Sequence, residues 1–577
     1  MEPEYEPTSP AAALDGRPRR PVVARSRRFF VENQPEIRPP EAREAASNGS
    51  HRLNRGVWIF VALGLGLRVI RYAQNLPLWS DECFLAVNFI QRGFWELLQP
   101  LENGQIAPLL FLWTERAAVQ SLGFSEWSLR FGPIVCGLAS MFLFERLARA
   151  TLRGLPLLLA VGVFAVSVHP IRHAAEAKPY AFDLLAALLL LGPAVAWLNA
   201  PGRSSRLWVL AAFTPICLAA SNPAVFVLGG IILALAGPVW RSERRSDRLA
   251  LAACVALFGG LSAALHLGFG RMQSAAAIAG LQRYWSSGFP PLSAPWNLPG
   301  WLLGACTGSM FAYPGGGARG LSTPTFLAFV AGAASLTRRG KGRLVVCLIA
   351  PFGLTLAAAV VHRYPFGTEA RLMQFAAPAV CLLSGAGAGA LIEKIQSPRR
   401  RRRVLALALA GVVVCGIAPQ IVSSTTPYRM PHDQEEREFA RRFWPEFGRD
   451  AEAACAHLDF GIDPPGRWRG RQAWYLCNQA IYSPQRREHG GPRLDRVSSA
   501  HPLRCVVFDQ DPESPTVIDW LGRMRTNYAL RSTSTIAPLI TLGDPPRQVA
   551  EHWRIYEFVP RTDEENHVPM ETSHDER

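Results

Sequence analysis

Charge is scarce in this sequence. Charged residues make up 18% of its 577 positions against 49% hydrophobic ones, and the charges are clustered. Between them apolar runs recur from about Val57 to Gln420, several approaching the roughly 20 residues needed to cross hydrocarbon. The first fifty residues hold no apolar core, so no cleavable signal peptide is expected. They are rich in Pro, Glu, Arg and Ala and read as a disordered cytoplasmic tail, held inside by Arg17, Arg19, Arg20, Arg25, Arg27 and Arg28. None of the 11 cysteines forms a CxxC pair, which excludes the usual thiolate zinc spacing. Six of them (Cys136, Cys217, Cys254, Cys347, Cys381 and Cys415) sit in apolar runs, where cysteine behaves as a small core residue. No internal repeat stands out. A net charge of +16 invites a nucleic-acid reading, but the arginines fall in short loops between apolar runs, so no nucleic acid is expected.

What is present is a polytopic helical membrane domain. The apolar runs lie at approximately 54–73, 131–148, 155–169, 180–198, 207–220, 223–240, 249–268, 321–336, 344–361, 372–392 and 404–420. Two weaker runs, 106–122 and 298–312, read as interfacial or re-entrant helices. Alternate connections carry the basic residues: Arg146, Arg149 and Arg153; Arg203 and Arg206; Arg241, Arg244, Arg245 and Arg248; Arg338, Arg339, Lys341 and Arg343; Lys394 and Arg399 to Arg403. That set is expected on the cytoplasmic side, which places the N-terminus inside and, with about 11 spans, the C-terminus outside. After residue 424 the composition turns polar, with a helix expected over Gln434 to Phe447 and strands at Cys505 to Phe508 and Trp553 to Val559. The expected division is therefore a tail at 1–53, a transmembrane domain at 54–424 and a soluble α/β domain on the outer face at 425–577, with its last dozen residues frayed. One disulfide is expected among Cys455, Cys477 and Cys505, most simply Cys455–Cys477.

Three outer loops concentrate groups able to do chemistry. The first opens on Trp79-Ser80-Asp81-Glu82, two adjacent carboxylates directly after a span. Ionisable residues there are costly unless paired or wet, which marks them as functional candidates, although a solvated loop start reads the same way. The second runs from His169 through Arg172, His173, Glu176 and Lys178 to Tyr180, a density that a simple connector does not need. The third, His362-Arg363-Tyr364-Pro365-Phe366-Gly367 with Glu369 and Arg371, sets two arginines about a Pro-Gly turn. Arginine's planar fork suits phosphate oxygens, and arginines at helix ends also snorkel to the interface. Arg68 lies inside the first span and should face protein or water. The long loop 270–300, with Arg271, Arg283, Tyr284 and Trp285, is placed to cover the site, or to anchor at the interface.

The ordered set of motifs resembles the GT-C superfamily of glycosyltransferases, in the branch of protein O-mannosyltransferases and bacterial lipid A aminoarabinose transferases. The residues that carry it are Arg68, then Trp79-Ser80-Asp81-Glu82, then Gln105-Ile106-Ala107-Pro108-Leu109-Leu110-Phe111 with Glu126-Trp127-Ser128-Leu129-Arg130, then Glu176-Ala177-Lys178-Pro179-Tyr180, and finally Tyr364-Pro365-Phe366-Gly367 with Arg371. It covers roughly 54–395, and the segment from about 425 onward resembles no family. The resemblance implies a donor sugar on a polyprenyl phosphate loaded from the lipid bilayer, inversion at the anomeric carbon, and an acidic pair on the first outer loop. Asp81 would be the general base, and Glu82 would orient the acceptor or hold Asp81. Lys178, Arg363 and Arg371, with Arg68 behind them, would bind the donor phosphate. Glu176, Tyr180, His173, Arg172, Tyr364 and Arg283 would position donor or acceptor, which is a glycan, lipid or protein. Some members of the superfamily use a divalent metal; His169, His173 and Glu176 are the residues that would contribute to such a site here.

Two rivals remain at this stage. A flippase or transporter of lipid-linked sugars would place its charges near the bilayer midplane, whereas these concentrate in outer loops. An envelope assembly protein with a degenerate transferase domain would not need the intact Asp81–Glu82 pair. The Arg- and Ala-rich composition and the absence of a retention signal favour a bacterial inner membrane.

Overall fold

The computed structural model describes residues 40–265, 267–268, 275–316, 322–425, 431–447, 452–455, 468–483, 503–508, 513, 515–542, 547–550 and 552–561. The tail to residue 39, Arg271 and the last residues from 562 lie outside them. The chain begins with α1 (Pro40–Ala73), followed by the short helices α2 (Ser80–Ala86) and α3 (Asn88–Gln91) and by α4 (Leu109–Leu122). Then come α5 (Phe131–Thr151), α6 (Gly154–Val166), α7 (Val168–His173), α8 (Tyr180–Asn199), α9 (Ser205–Ala220), α10 (Ala224–Trp240) and α11 (Arg245–Leu265). Next are α12 (Ala275–Tyr284), α13 (Leu298–Thr307), α14 (Ser322–Arg338), α15 (Gly342–Val360), α16 (Ala377–Glu393) and α17 (Pro398–Thr425).

Each of the 11 long apolar runs is helical over most of its described residues. Among the described residues seven helices are long and apolar enough to cross a bilayer, the first counted from His51 to Ala73, and α6, α9 and α10 are shorter apolar helices. The chain is an integral membrane protein. Several boundaries differ from the sequence expectation, and proline explains two of them. The run 155–169 breaks at Ser167, which is extended at φ −65°, ψ 129°. Pro170 clashes with the carbonyl four residues back, that of Val166, where α6 ends. The run 372–392 starts as a 3-10 segment (Ala370–Ala376), with α16 beginning only at Ala377, one residue before Pro378.

Helix α6 is about 20 Å long, too short for the roughly 30 Å of hydrocarbon. It is enclosed by protein, with ten of its 13 residues buried, so its length is not set by lipid. Small residues allow this. A Cβ on Gly385 would lie 2.5 Å from Ala160 of α6, and one on Gly389 would lie 2.6 Å from the Pro156 ring. Where α14 crosses α16, a Cβ on Gly387 would lie 2.6 Å from the Gly332 nitrogen, so only glycine lets the two backbones approach. Gly387→Val is expected to cost about 1–3 kcal/mol or more through overpacking, read as a lower Tm in detergent. Gly353→Ala, where an added Cβ meets nothing within 4 Å, is expected to leave Tm unchanged or slightly raised.

The C-terminal region carries α18 (Pro431–Phe447), β1 (Glu452–Cys455), α19 (Trp468–Tyr482), β2 (Leu503–Phe508), α20 (Pro515–Asn527), β3 (Tyr528–Ile536), β4 (Leu539–Leu542), β5 (Arg547–Ala550) and β6 (Trp553–Pro560). Four strands form one mixed sheet in the order β1-β2-β6-β3, with β1 parallel to β2 and the other pairs antiparallel. Strands β4 and β5 form a separate antiparallel pair. Trp444, Trp474, Cys477, Val506 and Trp553 share one apolar core with Leu78, Cys83, Phe89 and Phe111. The sheet region thus rests on the loop that carries Asp81. Trp474 Nε1 donates to the Leu78 carbonyl at 3.2 Å, and Arg437 Nη1 donates to the Asn75 carbonyl at 2.6 Å.

The expected Cys455–Cys477 disulfide is not formed. Cys477 is a free thiol, and its Sγ sits against the Cys83 carbonyl at 3.7 Å, because α19 faces α2 rather than β1. The Cys455 side chain lies outside the described residues.

Candidate functional site

Asp81 lies in the first turn of α2, just beyond the end of α1. Its side chain is about one quarter exposed, at 24%, and each oxygen meets a different cation. Lys178 Nζ is 3.0 Å from Oδ1 and Arg371 Nη1 is 2.9 Å from Oδ2. Both cations are themselves largely enclosed and oriented. The Lys178 ammonium also donates to Gln105 Oε1 at 2.8 Å. The Arg371 guanidinium lies 5.0 Å from the Trp285 ring centre and 5.8 Å from that of Trp79. Such cation–π contacts fix the plane of the fork while leaving its edge to bond an anion. The loop after α12 therefore reaches the site through Trp285. The Gly288 carbonyl accepts from the Phe366 amide at 2.8 Å, which ties that loop to the segment before Arg371.

Glu82 is fully buried and bonded within the protein, which speaks for the holding role expected of it rather than for contact with an acceptor. Arg130 grips it with both arms, Nε to Oε1 at 2.9 Å and Nη2 to Oε2 at 2.7 Å. The Ala177 amide donates to Oε1 at 2.7 Å and the Trp79 amide to Oε2 at 3.3 Å. Arg130 in turn bonds the carbonyls of Leu76 and Pro77, at 2.5 and 3.1 Å. Glu82 is thus the junction between the loop bearing Asp81 and the loop bearing Lys178. Sequence reading quoted Arg130 and Gln105 without giving either a task.

Glu176 is also buried, 2.5 Å from Arg172 Nε and 2.6 Å from His173 Nδ1. Burial pushes its carboxyl up, but Arg172 and His173 together outweigh that and hold it well below the usual carboxylate range. Arg172 also lies over Trp79, at 5.9 Å, and the His173 ring packs 5.0 Å from Tyr180. Each carboxylate of the cluster is consequently held by cationic or imidazole groups. A dication would meet Lys178, Arg371, Arg130 or Arg172 at every one of them. Among the described residues no group of three or more His, Cys, Asp or Glu side chains is arranged to hold a metal, so the donor set does not fit one.

His169 and His173 each have an Nε2 shut off from water with no hydrogen-bond partner. Burial, then the neighbouring His173 and Arg172, push His169 down to about 3. The unfolded chain protonates this imidazole near pH 6.5 and the folded one does not, so stability falls as pH drops from about 6.5 toward 3. His169→Gln is expected to flatten the acid side of the Tm–pH curve, by at most about 1.4 kcal/mol per pH unit relative to the native chain. Parallel curves for the two proteins would contradict the assignment.

Other sequence candidates fall elsewhere. Arg68 is fully buried inside the bundle, donating to the carbonyls of Gly64 at 2.8 Å and Ala165 at 3.3 Å and lying over Phe164. It meets the Ala165 carbonyl in the last turn of α6 and the Gly64 carbonyl of its own helix, which differs from its expected place behind the phosphate. Arg363 and Arg283 are exposed and, among the described residues, make no ion pair. His362, with φ +54°, and Gly367, with φ +70°, turn the chain between α15 and the segment that carries Arg371; Arg363 is at the surface and Arg371 pairs with Asp81. Tyr364 acts at one remove: its hydroxyl donates to the Leu372 carbonyl at 2.7 Å, securing the 3-10 segment that presents Arg371.

No protein-family model and no curated protein matches the chain by sequence. Several solved structures resemble it. ArnT from Cupriavidus metallidurans bound to undecaprenyl phosphate aligns over 86% of this chain and 97% of its own, with a TM-score of 0.48 and 11% identity. The Archaeoglobus fulgidus oligosaccharyltransferase in complex with Zn and sulfate aligns over 86% of this chain and 72% of its own, at TM-score 0.46 and 10% identity. The oligosaccharyltransferase AglB from the same organism, with an inhibitory peptide and a dolichol-phosphate, gives a TM-score of 0.41 and 11% identity over 86% of this chain and 74% of its own.

Proposed function

We propose that the chain is a membrane glycosyltransferase of the GT-C kind, moving a sugar from a polyprenyl-phosphate donor to an acceptor hydroxyl on a glycan, lipid or protein. The observation that carries this reading is the Asp81 carboxylate held between Lys178 and Arg371 at the end of a membrane helix. A donor phosphodiester carries one negative charge. When its bond to the anomeric carbon breaks, the leaving polyprenyl phosphate gains a second. Two preorganised cations answer that change, and they are worth most in a site sheltered from water. The acceptor oxygen attacks the anomeric carbon, its proton passes to Asp81, and the electron pair of the broken C–O bond leaves on the phosphate. A single displacement with one base inverts the anomeric centre.

In the arrangement described here each Asp81 oxygen is held by a cation. An arriving donor phosphate competes for Lys178 and Arg371, and an Asp81 oxygen then turns to the acceptor hydroxyl. Glu82 and Arg130 act as positioning residues for both loops. Arg172, His173, Glu176, Tyr180 and Tyr364 shape the walls. The proposed setting is a bacterial inner membrane, with residues 1–53, of which those from Pro40 on belong to α1, cytoplasmic, the transmembrane domain at 54–424 and a periplasmic domain at 425–577. Loop charge supports this orientation, since the basic connections gather at the opposite ends of the helices from Asp81.

The test is a panel of synthetic polyprenyl-phosphate sugars offered with envelope acceptors to the purified protein in nanodiscs. Release of polyprenyl phosphate in step with glycosylated acceptor is the expected result. Movement of intact lipid-linked sugar across liposomes, with no release from any donor, would replace the transferase by a transporter.

A further inference from the structure

A second cluster of cations lies at the other end of the helices. The end of α5, the start of α6, the α14–α15 turn and the end of α16 enclose a cavity of about 450 Å³. Arg149, Arg153, Arg339 and Lys341 line it together with one carboxylate, Glu393, and Leu152 and Pro156 contribute buried apolar surface. Arg149 also bonds Asn54 Oδ1 at 2.5 Å, near the start of the first apolar run, whereas Asp81 follows the end of α1 at Ala73. The two sites are therefore separated by roughly 30 Å, the rise of the intervening helix.

Charge around the cavity is unbalanced. Arg149 pairs with Glu145, and Arg339 lies 3.9 Å from Glu393 in a contact exposed on both sides. That leaves two of the four lining cations, Arg153 and Lys341, with no carboxylate in ion-pair range among the described residues. The Lys341 ammonium instead donates to the Thr151 carbonyl at 2.8 Å, at the last residue of α5. Burial, then Arg153 and Arg339, push its ammonium below the ordinary lysine range. Arg153 and Arg339 are exposed at the rim, Arg149 and Lys341 are half-buried, and Leu152 and Pro156 are buried beside them, the complement of a phosphate attached to a hydrocarbon chain.

We propose that this cavity binds the phosphate group of an anionic lipid from the leaflet opposite the Asp81 site. Arg153 and Lys341 take the phosphate oxygens, Arg149 and Arg339 flank it, and the apolar wall receives the start of the chain.

The test is native mass spectrometry of the full chain in detergent, titrated with phosphatidylglycerol, phosphatidylcholine or inorganic phosphate. The native protein is expected to retain one phosphatidylglycerol above background and no phosphatidylcholine. Arg153→Gln with Lys341→Gln should lower that affinity about tenfold or more, the loss of two charge-assisted contacts. Arg399→Gln with Arg400→Gln removes the same charge elsewhere and should not. Arg339→Gln, at an exposed position that tolerates change, should weaken retention in the same direction if the double variant fails to fold. Equal loss in the Arg399/Arg400 control, unchanged retention in the cavity variants, or equal retention of phosphatidylcholine would each overturn the proposal. Inorganic phosphate displacing the lipid at equal concentration would overturn its lipid part and leave a free-phosphate site. None of these readouts uses sugar transfer, so the outcome is independent of the proposed activity.

Discussion

Asp81→Asn in nanodiscs is expected to release polyprenyl phosphate roughly 10²–10⁴-fold more slowly than the native protein, the range for removal of a general base. The substitution keeps the side chain's shape and leaves the covalent path of the donor untouched. It also frees Lys178 and Arg371 from their carboxylate. Donor affinity is therefore expected to hold or rise while kcat collapses, a split that simple misfolding does not produce. Lys178→Gln and Arg371→Gln should behave differently. Each removes a cation whose partner charge grows during the reaction, so both kcat and donor affinity should fall. Turnover of Asp81→Asn at the native rate would remove Asp81 as base.

Arg130→Ala is expected to be the most destabilising single change in this region, by about 3–5 kcal/mol, the usual cost of leaving a buried charge without its partner. The Glu82 carboxylate would be stranded with no exposure, and the carbonyls of Leu76 and Pro77 would lose their donors. Arg130→Lys should recover only part of the loss, because an ammonium cannot form the paired contacts to Oε1 and Oε2. Thermal melting in detergent measures it. A Tm for Arg130→Ala equal to that of the native chain would show that the two loops are not held through Glu82.

Much of the scaffold was legible because a bilayer imposes one rule. Apolar runs within it must close their own hydrogen bonds, and among the described residues seven helices are long enough to cross it. Breaks inside a run were harder to see. Ser167 is extended because Pro170 acts back on the Val166 carbonyl, a local event within a long apolar stretch. In the site, Asp81, Lys178 and Arg371 stood out as ionisable groups beside spans, a costly placement. Their pairing did not, since Asp81 and Arg371 are 290 residues apart. Nor could composition separate Arg371 from Arg363, since both flank the same Pro-Gly turn and only one of them pairs with Asp81. The holding role of Glu82 was hidden for a related reason. Adjacent carboxylates look equivalent in sequence, but successive residues of a helix lie about 100° apart around its axis. One of the pair therefore faces Lys178 and Arg371 while its neighbour faces Arg130. Cys477 showed the same limit, packing on α2 rather than on its near neighbour in sequence.

The most direct test is photo-crosslinking of the full chain with a polyprenyl phosphate bearing a diazirine near the phosphate, mapped by peptide mass spectrometry with and without excess unlabelled sugar donor. Adducts that the donor competes away are expected on peptides containing Trp79 or Trp285, the rings that flank Arg371. Competed adducts confined to other parts of the bundle, with none on those peptides, would place donor binding elsewhere and contradict a transfer site built on Asp81, Lys178 and Arg371.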